Sequence, residues 1–368
     1  MRFLKVVSVI VALYLVAAGV YSIGYTVDNS LNITSLIHAG GQIEQEYGVD
    51  FGEIYVHPDS GGYDGAAYYY IAIDPSDLAR ISRYPDYTFR YQRITYPLIV
   101  YILSLGSADT IPLLLFSLNL ACVIILAFIF SKNHGMKLYV VAIPGIFIAV
   151  LHDLVEPLWA LAIASAFIRL KKRPDLSALL FSFAFLTKET TVVIVGPVFL
   201  YYALSRKWKK AKLMLIPFIV YTLWQVTLLG AFGQLPSVRL KKFAFSATGF
   251  GDSFVYNLTN PNVENLPVIL LQLTVPLFIL VSFSALRCER NEVTTTFLLT
   301  SLVLPFLHPG LWIDINAASR NILPQTLMAL LYFKKSGDWR IHLLIGPQVM
   351  VTMALFGFYL LTALPHLL

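Results

Sequence analysis

The chain has 368 residues, of which 57% are hydrophobic and only 13% are charged. Soluble globular domains average about 45–50% apolar and about 25% charged residues. This composition and the mean hydropathy of +0.71 exclude an ordinary soluble domain, because a charge at the bilayer centre costs roughly 2.5–3.5 kcal/mol. The class predicted is an all-α polytopic membrane protein. The net charge of +6 is read as a topology signal, and no nucleic-acid partner is predicted.

The first apolar segment covers residues 4–24. Its length of about 20 residues exceeds the 7–15 residues typical of a signal-peptide core and suits a membrane span. We therefore interpret this segment as an uncleaved anchor with a cytoplasmic N-terminus. The alternative is a cleavable signal ending near Ala17-Ala18-Gly19.

A polar, aromatic segment follows at residues 25–109 and is predicted to form a large first extracytoplasmic loop. It contains Asp64 beside Gly65, a run of tyrosines, and the sequence RYPDYTFRYQRITYPL. The apolar run 94–106 within it is too short to cross comfortably, because a span needs about 17–25 residues. We predict that this run is one of several short interfacial helices.

Further apolar runs predict the remaining spans. They lie near residues 110–131, 138–151, 154–170, 175–187, 190–205, 211–229, 267–286, 293–308, 319–333 and 341–363. The connections assigned to the cytoplasm are rich in Lys and Arg and lie around Lys132 and Lys137, Lys171–Arg173, Arg206–Lys212, Arg287–Glu292 and Lys334–Arg340. Because basic loops face the cytoplasm, the pattern predicts about 11 spans with the C-terminus outside.

This topology gathers the unusual charges on the outer side. Asp64 is a candidate general base or a helix N-cap. Arg90 and Arg93 are one helical turn apart and suit a phosphate, or else reach towards lipid headgroups. Asp153 and Glu156, at i and i+3, are expected on one helix face, where they would bind a ligand or begin a solvated helix.

The dipeptide Lys188-Glu189 lies between two apolar segments. Ionisable residues at such positions are functional candidates, and the alternative is a local ion pair at a helix break. Arg320 begins a later span on the outer side. Weaker candidates are His308, Asp314, Arg239, Lys241 and Lys242. No phosphate-binding glycine loop, dinucleotide fingerprint or zinc-binding helix motif is found in the sequence.

The order of these motifs resembles the GT-C superfamily of integral-membrane glycosyltransferases, including the dolichyl-phosphate-mannose mannosyltransferases. The matching motifs are YDGAAYYYIA, RYQRITYP, HDLVEP and TKET. The resemblance implies a catalytic transmembrane module at residues 1–230, including the loop 25–109. Residues 231–368 would form a C-terminal transmembrane module with an outer loop at 230–266.

The resemblance also implies an inverting sugar transfer, with mannose expected, from a polyprenyl- or dolichyl-phosphate donor to an extracytoplasmic glycan, lipid or protein acceptor. Asp64 would be the catalytic base. Arg90, Arg93, Lys188 and Arg320 would bind the donor phosphate, and Tyr63, His152, Asp153, Glu156 and Glu189 would bind the sugar or acceptor. Many relatives carry an acidic pair in the first loop, whereas Asp64 precedes Gly65. No metal or other cofactor is therefore predicted.

Membrane lipids are further expected partners, in the plasma membrane of a prokaryote. The alternative functions are a lipid or glycan transporter or flippase, and a different membrane transferase. A carrier is expected to show two matching halves with broken helices. The sequence shows one large loop near its start and no counterpart later, which favours the transferase.

Overall fold

A computed structural model describes residues 2–26, 30–130, 136–236, 248–260, 262, 265–336 and 339–367. The described chain is almost entirely helical, which confirms the predicted all-α class. Within these ranges the strands are β1 (Ala39–Gly40) and β2 (Val56–His57), which pair in parallel. This two-residue ladder was not predicted. It pairs residues 39–40 with residues 56–57 and so brings the two ends of the segment between them together.

The predicted first loop carries short helices between two long ones. In chain order the helices of this part are α1 (Arg2–Tyr25), α2 (Gly41–Tyr47), α3 (Asp64–Ile73), α4 (Leu78–Ile81), α5 (Tyr87–Tyr91), α6 (Thr95–Ser104) and α7 (Ile111–Ile129). The short run 94–106 thus contains a ten-residue helix, α6. At 1.5 Å per residue it is about 15 Å long, roughly half the hydrocarbon thickness of a bilayer.

The middle of the chain forms a series of mostly short helices. They are α8 (Met136–Val141), α9 (Pro144–Leu151), α10 (Glu156–Arg169), α11 (Pro174–Thr187), α12 (Val192–Leu204), α13 (Trp208–Leu213) and α14 (Ile216–Phe232). The run 138–151, predicted as one span, is divided between α8 and α9. Pro144 explains the division, because it lacks a backbone donor and favours the first turn of a helix.

The last part contains the two longest C-terminal helices and their connections. They are α15 (Thr248–Thr259), α16 (Asn265–Cys288), α17 (Glu292–Val303), α18 (Ile315–Asn321), α19 (Leu323–Ser336) and α20 (Ile341–Leu367). Arg239, Lys241 and Lys242 lie outside the described residues.

Five helical stretches of the described chain are long and apolar enough to cross a membrane. They are Val6–Tyr25, Ala108–Ile129, Trp208–Phe232, Asn265–Cys288 and Ile341–His366. The predicted count of about 11 spans is not confirmed, because several apolar helices are short. The 14-residue helices α10 and α11 reach only about 21 Å, against a hydrocarbon core of about 30 Å.

Helix α14 presents an apolar surface to the outside of the protein. Ile219, Leu223 and Val226 have exposed fractions of 56%, 62% and 59%. Such a continuous apolar exterior is unfavourable in water and favourable in lipid. This surface supports the assignment to helical membrane proteins.

Helix α10 occupies the centre of the core, where it packs against α7, α9, α11 and α19. Trp159 is fully buried, and its indole N–H donates a 2.9 Å hydrogen bond to the hydroxyl of Thr191. This bond satisfies the polar edge of a large buried ring and fixes the start of α12 against α10. The first and last helices, α1 and α20, also pack together.

The exposed thiol of Cys288 provides a test of the predicted orientation, because it lies beside the connection Arg287–Glu292. We expect a membrane-impermeant maleimide to label Cys288 in inside-out vesicles and not in intact cells. Buried Cys122 should stay unlabelled, and the Cys288→Ser variant should therefore show no labelling on either side. Efficient labelling of Cys288 in intact cells would show the reverse orientation.

Candidate active site

Seven charged side chains from distant parts of the chain meet in one group of ion pairs, here called the charge cluster. Its members are Asp64, Arg90, Arg93, Glu156, Lys188, Glu189 and Arg320. Four are basic and three acidic, so the formal charge is +1 when all are ionised. Arg320 comes from the predicted C-terminal module and the other six from the predicted catalytic module. The cluster therefore joins these two parts of the chain.

The carboxylate of Asp64 forms ion pairs with three arginines. Arg320 Nη2 lies 2.9 Å and Arg93 Nη1 3.5 Å from Asp64 Oδ2, while Arg90 Nη1 contacts Oδ1. Burial opposes ionisation of this carboxyl group, but Arg90, Arg320 and Arg93 outweigh burial and hold its pKa well below the usual range. Asp64 is therefore an anion at neutral pH.

The helix-cap interpretation of Asp64 does not describe this arrangement. Asp64 is the first residue of α3, Tyr63 is the N-cap, and the cap makes no side-chain hydrogen bond. The first turn still favours an acid, because the helix dipole is positive there. The carboxylate of Asp64, however, points to arginines of other segments.

Arg93 is buried, with 1% of its side chain exposed, and makes a fork-shaped pair with Glu189. Its Nε and Nη2 atoms donate to the two carboxylate oxygens at 2.8 Å and 2.7 Å. Its Nη1 donates to the hydroxyl of Tyr68 at 2.9 Å. A guanidinium group held in this way lies in the protein interior, so the lipid-headgroup alternative for Arg93 is wrong.

Glu156 is the counter-ion of two cations. Its Oε1 atom lies 2.8 Å from Lys188 Nζ and 2.5 Å from Arg320 Nε. The Glu156 side chain is completely buried, and within the described residues its Oε2 atom has no hydrogen-bond partner. Glu156 therefore positions Arg320 and Lys188 relative to each other in this conformation.

The dipeptide Lys188-Glu189 lies where α11 ends and a short 3-10 turn, Glu189–Thr191, begins. Lys188 has an extended backbone conformation at this break. Its side chain pairs with Glu156, whereas Glu189 pairs with Arg93. The break therefore directs two adjacent side chains to different members of the charge cluster, which the local ion-pair interpretation did not anticipate.

Two glycines bring the backbone segments of the cluster close together. A Cβ atom at Gly65 would lie 2.2 Å from the carbonyl oxygen of His152. A Cβ atom at Gly145 in α9 would lie 2.5 Å from the carbonyl oxygen of Ser319. Only glycine permits such an approach. These contacts place α3 against the turn after α9, and α9 against α18, next to Arg320.

His152 and Asp153 form the turn between α9 and α10. The His152 ring packs against Tyr63, with ring centroids 4.9 Å apart. Asp153 is buried in a left-handed conformation with φ of 50°, and neither carboxylate oxygen has a hydrogen-bond partner in the described chain. Burial raises the pKa of Asp153 well above its usual range and so favours the neutral form of this carboxyl group.

The expectation that Asp153 and Glu156 share a helix face is wrong. Helix α10 begins at Glu156, and Asp153 lies before it in the turn. Pro157 explains the boundary, because proline lacks a backbone N–H and favours the first turn of a helix. Asp153 takes no part in the ion pairs of the charge cluster that the described residues form.

Sequence reasoning missed Tyr68 and His38. Tyr68 lies four residues after Asp64 on the same face of α3, and this spacing is a signal that was available. His38 stacks on His57 with centroids 4.1 Å apart and bonds the Tyr21 hydroxyl at 2.7 Å through Nδ1. Burial and the neighbouring His57 lower the pKa of His38 to about 3, so its ring is neutral.

No group of three or more His, Cys, Asp and Glu side chains is arranged to hold a metal ion in the part of the chain described here. His308 and Asp314, the weaker candidates, each cap a short helix, Asp314 through the N–H groups of Asn316 and Ala317. Neither is an ion-pair partner in the charge cluster.

No family model, curated protein or solved structure matches this chain.

The buried counter-ion Glu156 generates a stability prediction. Glu156→Gln leaves Lys188 and Arg320 facing each other in the interior, and removing one partner of a buried pair costs about 3–5 kcal/mol. We expect a loss of this size in the free energy of unfolding, measured by denaturant titration in detergent. The double variant Glu156→Gln/Lys188→Met removes one of the two cations and should recover part of it. Equal stability of the wild type and Glu156→Gln would contradict this role.

Proposed function

We propose that this protein is an integral-membrane glycosyltransferase of the GT-C type. It would move a sugar from a polyprenyl-phosphate donor to an acceptor hydroxyl at the outer membrane surface, with inversion at the anomeric carbon. The observation that carries the proposal is the contact of one carboxylate, Asp64, with three arginines. The transfer needs a base for the acceptor and cations for the leaving phosphate, and this site contains both.

The arginines divide into two kinds by exposure. The side chains of Arg90 and Arg320 are 22% and 13% exposed, whereas Arg93 is 1% exposed and is saturated by Glu189, Tyr68 and Asp64. Arg90 and Arg320 are thus placed to bind a phosphate, for which a guanidinium fork is well suited. Arg93 acts as a positioning residue that holds Asp64 and Glu189 in place.

Asp64 is a weak base while all three arginines contact it, because a lowered pKa reduces affinity for a proton. The donor phosphate competes with Asp64 for Arg90 and Arg320. As these guanidinium groups turn to the phosphate, the pKa of Asp64 rises towards its usual range. Binding of the donor therefore activates the base in the complex that needs it.

In the transfer step, the bonds formed and broken and the proton are all accounted for by the donor, the acceptor and Asp64. The acceptor oxygen forms a bond to the anomeric carbon, and its proton passes to Asp64. The bond between the anomeric carbon and the phosphate oxygen breaks, and the phosphate leaves with the electron pair. Arg90, Arg320 and their neighbours stabilise the charge that develops on the phosphate, which is usually the largest catalytic contribution.

The remaining members of the predicted site support this geometry. Glu156 pairs with both Arg320 and Lys188 and so fixes the position of Arg320. The guanidinium carbon of Arg320 also lies 5.7 Å from the centroid of the Tyr63 ring. Burial is the main cause that raises the pKa of Tyr63 to about 12, so its hydroxyl keeps its proton at neutral pH. The Tyr63 hydroxyl can thus donate a hydrogen bond to a sugar oxygen.

A lipid-linked donor also fits the membrane topology that we propose, with about 11 spans, some of them short, and a cytoplasmic N-terminus. Helix α6 follows Arg93 in the chain and exposes Ile102 and Leu103, with exposed fractions of 59% and 55%. An apolar surface next to cationic groups suits an amphiphile with an apolar chain and an anionic head. We propose that the prenyl chain lies along α6.

The central experiment measures transfer by purified Asp64→Asn from a panel of polyprenyl-phosphate sugars, with products read by mass spectrometry. We expect the rate to fall about 10²–10⁴-fold, the usual contribution of a general base. Donor affinity should be kept or increased, because the neutral amide of this variant no longer competes for the arginines. Arg90→Gln should instead weaken donor binding. Near-normal turnover by Asp64→Asn would refute the assignment of the base.

The pH dependence tests donor-induced activation. A base must be deprotonated, so the rate falls as the pH falls through its pKa. The profile of kcat/KM reports the free enzyme and that of kcat the donor complex. We expect the acidic limb of kcat at higher pH than that of kcat/KM, because the pKa of Asp64 is lowest in the free enzyme. In Arg90→Gln the two limbs should move closer together. Coincident limbs in the wild type would contradict the activation.

A further inference from the structure

A cavity of about 550 Å³ lies between the C-terminal end of α1, the start of α16, the start of α18 and the middle of α20. Its volume is within the range of about 300–1,000 Å³ that is typical of small-molecule sites. Tyr25 and Tyr359 form part of its wall, together with Asn265, Asp314 and Asn316. None of the sequence motifs discussed above points to this cavity as a binding site.

The chemistry of the wall favours a neutral, hydroxylated ligand. Among the described residues that line it are three tyrosines, three asparagines and one aspartate, but no lysine or arginine. An anion would find no countercharge in this wall. Tyrosine faces pack against the C–H groups of a sugar, while amides bond its hydroxyl groups.

Asn316 offers an unused acceptor at this place. Its Oδ1 atom is buried and has no hydrogen-bond partner in the described part of the chain. A buried polar atom without a partner costs about 1–3 kcal/mol. A hydroxyl donor would remove this cost once the Asn316 amide turns towards the cavity, because Oδ1 has almost no exposed surface in this conformation. The backbone N–H of Asn316 donates to Asp314 Oδ1 at 3.0 Å, which fixes the backbone of this residue at the cavity.

Two features connect the cavity with Asp64. A row of rings runs from Tyr25 to Tyr21 at 4.6 Å, from Tyr21 to His152 at 5.1 Å, and from His152 to Tyr63 at 4.9 Å. Tyr63 immediately precedes Asp64. In addition, Asp314 at the cavity and Arg320 at the charge cluster mark the two ends of α18, which are about 9 Å apart at 1.5 Å per residue.

We propose that this cavity binds a neutral sugar ring of the acceptor and directs a hydroxyl group towards Asp64. The proposal rests on the proposed glycosyl transfer and names the class of acceptor that the same site uses. Tyr25 and Tyr359, which line the cavity, would stack against the sugar, and Asn316 would accept a hydrogen bond from one of its hydroxyl groups. The wall has one aspartate and no lysine or arginine among its described residues, so it would exclude the lipid phosphate, which binds at Arg90 and Arg320.

Saturation-transfer NMR on the full chain in nanodiscs tests the proposal with methyl α-D-mannopyranoside and methyl β-D-glucopyranoside as probes. We expect displaceable binding of at least one of them to the wild type. Asn316→Leu, which fills the cavity and removes the acceptor, should weaken this binding at least fivefold. Met353→Ala, in a separate apolar cavity, is the matched control and should bind as the wild type does. Octyl phosphate should not displace the sugar.

Three results would overturn the proposal: no binding of either glycoside, equal binding by Asn316→Leu, or displacement by octyl phosphate. In the transfer assay, Asn316→Leu should raise the KM for the acceptor and leave the KM for the donor unchanged. Failure of the proposed function is a different result. In that case Asp64→Asn would keep its turnover, or no polyprenyl-phosphate sugar would be consumed, whatever the glycosides do.

Discussion

The ion pairs between Asp64 and three arginines are the interaction on which the architecture of the site depends. Arg90 and Arg93 follow α3 within the first loop, whereas Arg320 comes from α18, more than two hundred residues later. A buried carboxylate with several cationic partners keeps its charge only if all the segments that supply them stay in place. The same contacts that hold these segments together therefore also fix the charges on which the proposed chemistry depends.

The second constraint is the sharing of Glu156 between Lys188 and Arg320. The charge cluster contains four bases and three acids. Its net charge of +1 is small because each acid pairs with at least one base. In the proposed function, a phosphate diester with one negative charge would balance this net charge. Binding of an anion and stability of the protein are thus linked, and a ligand that binds only the folded state stabilises it.

The sequence predicted the helical class and the main charged residues, but not their arrangement. Charged residues are conspicuous in an apolar chain, which is why Asp64, Arg93, Lys188 and Arg320 could be selected. Their pairing could not be predicted, because ion pairs such as Arg93 with Glu189 depend on tertiary contacts across 96 residues. The number of about 11 spans stays a prediction, since short apolar runs such as 138–151 contain a proline break and have soft boundaries.

Gly65 has a consequence for the first loop as a whole. The family that the motifs resemble often has two neighbouring acids in its first loop, whereas in this chain glycine follows Asp64. Any side chain at residue 65 would overlap the carbonyl oxygen of His152, only 2.2 Å from where its first carbon would stand. A second carboxylate is therefore excluded by close packing of backbone on backbone. The presence of one acid instead of two at residues 64 and 65 is a steric result of how the first loop packs against His152.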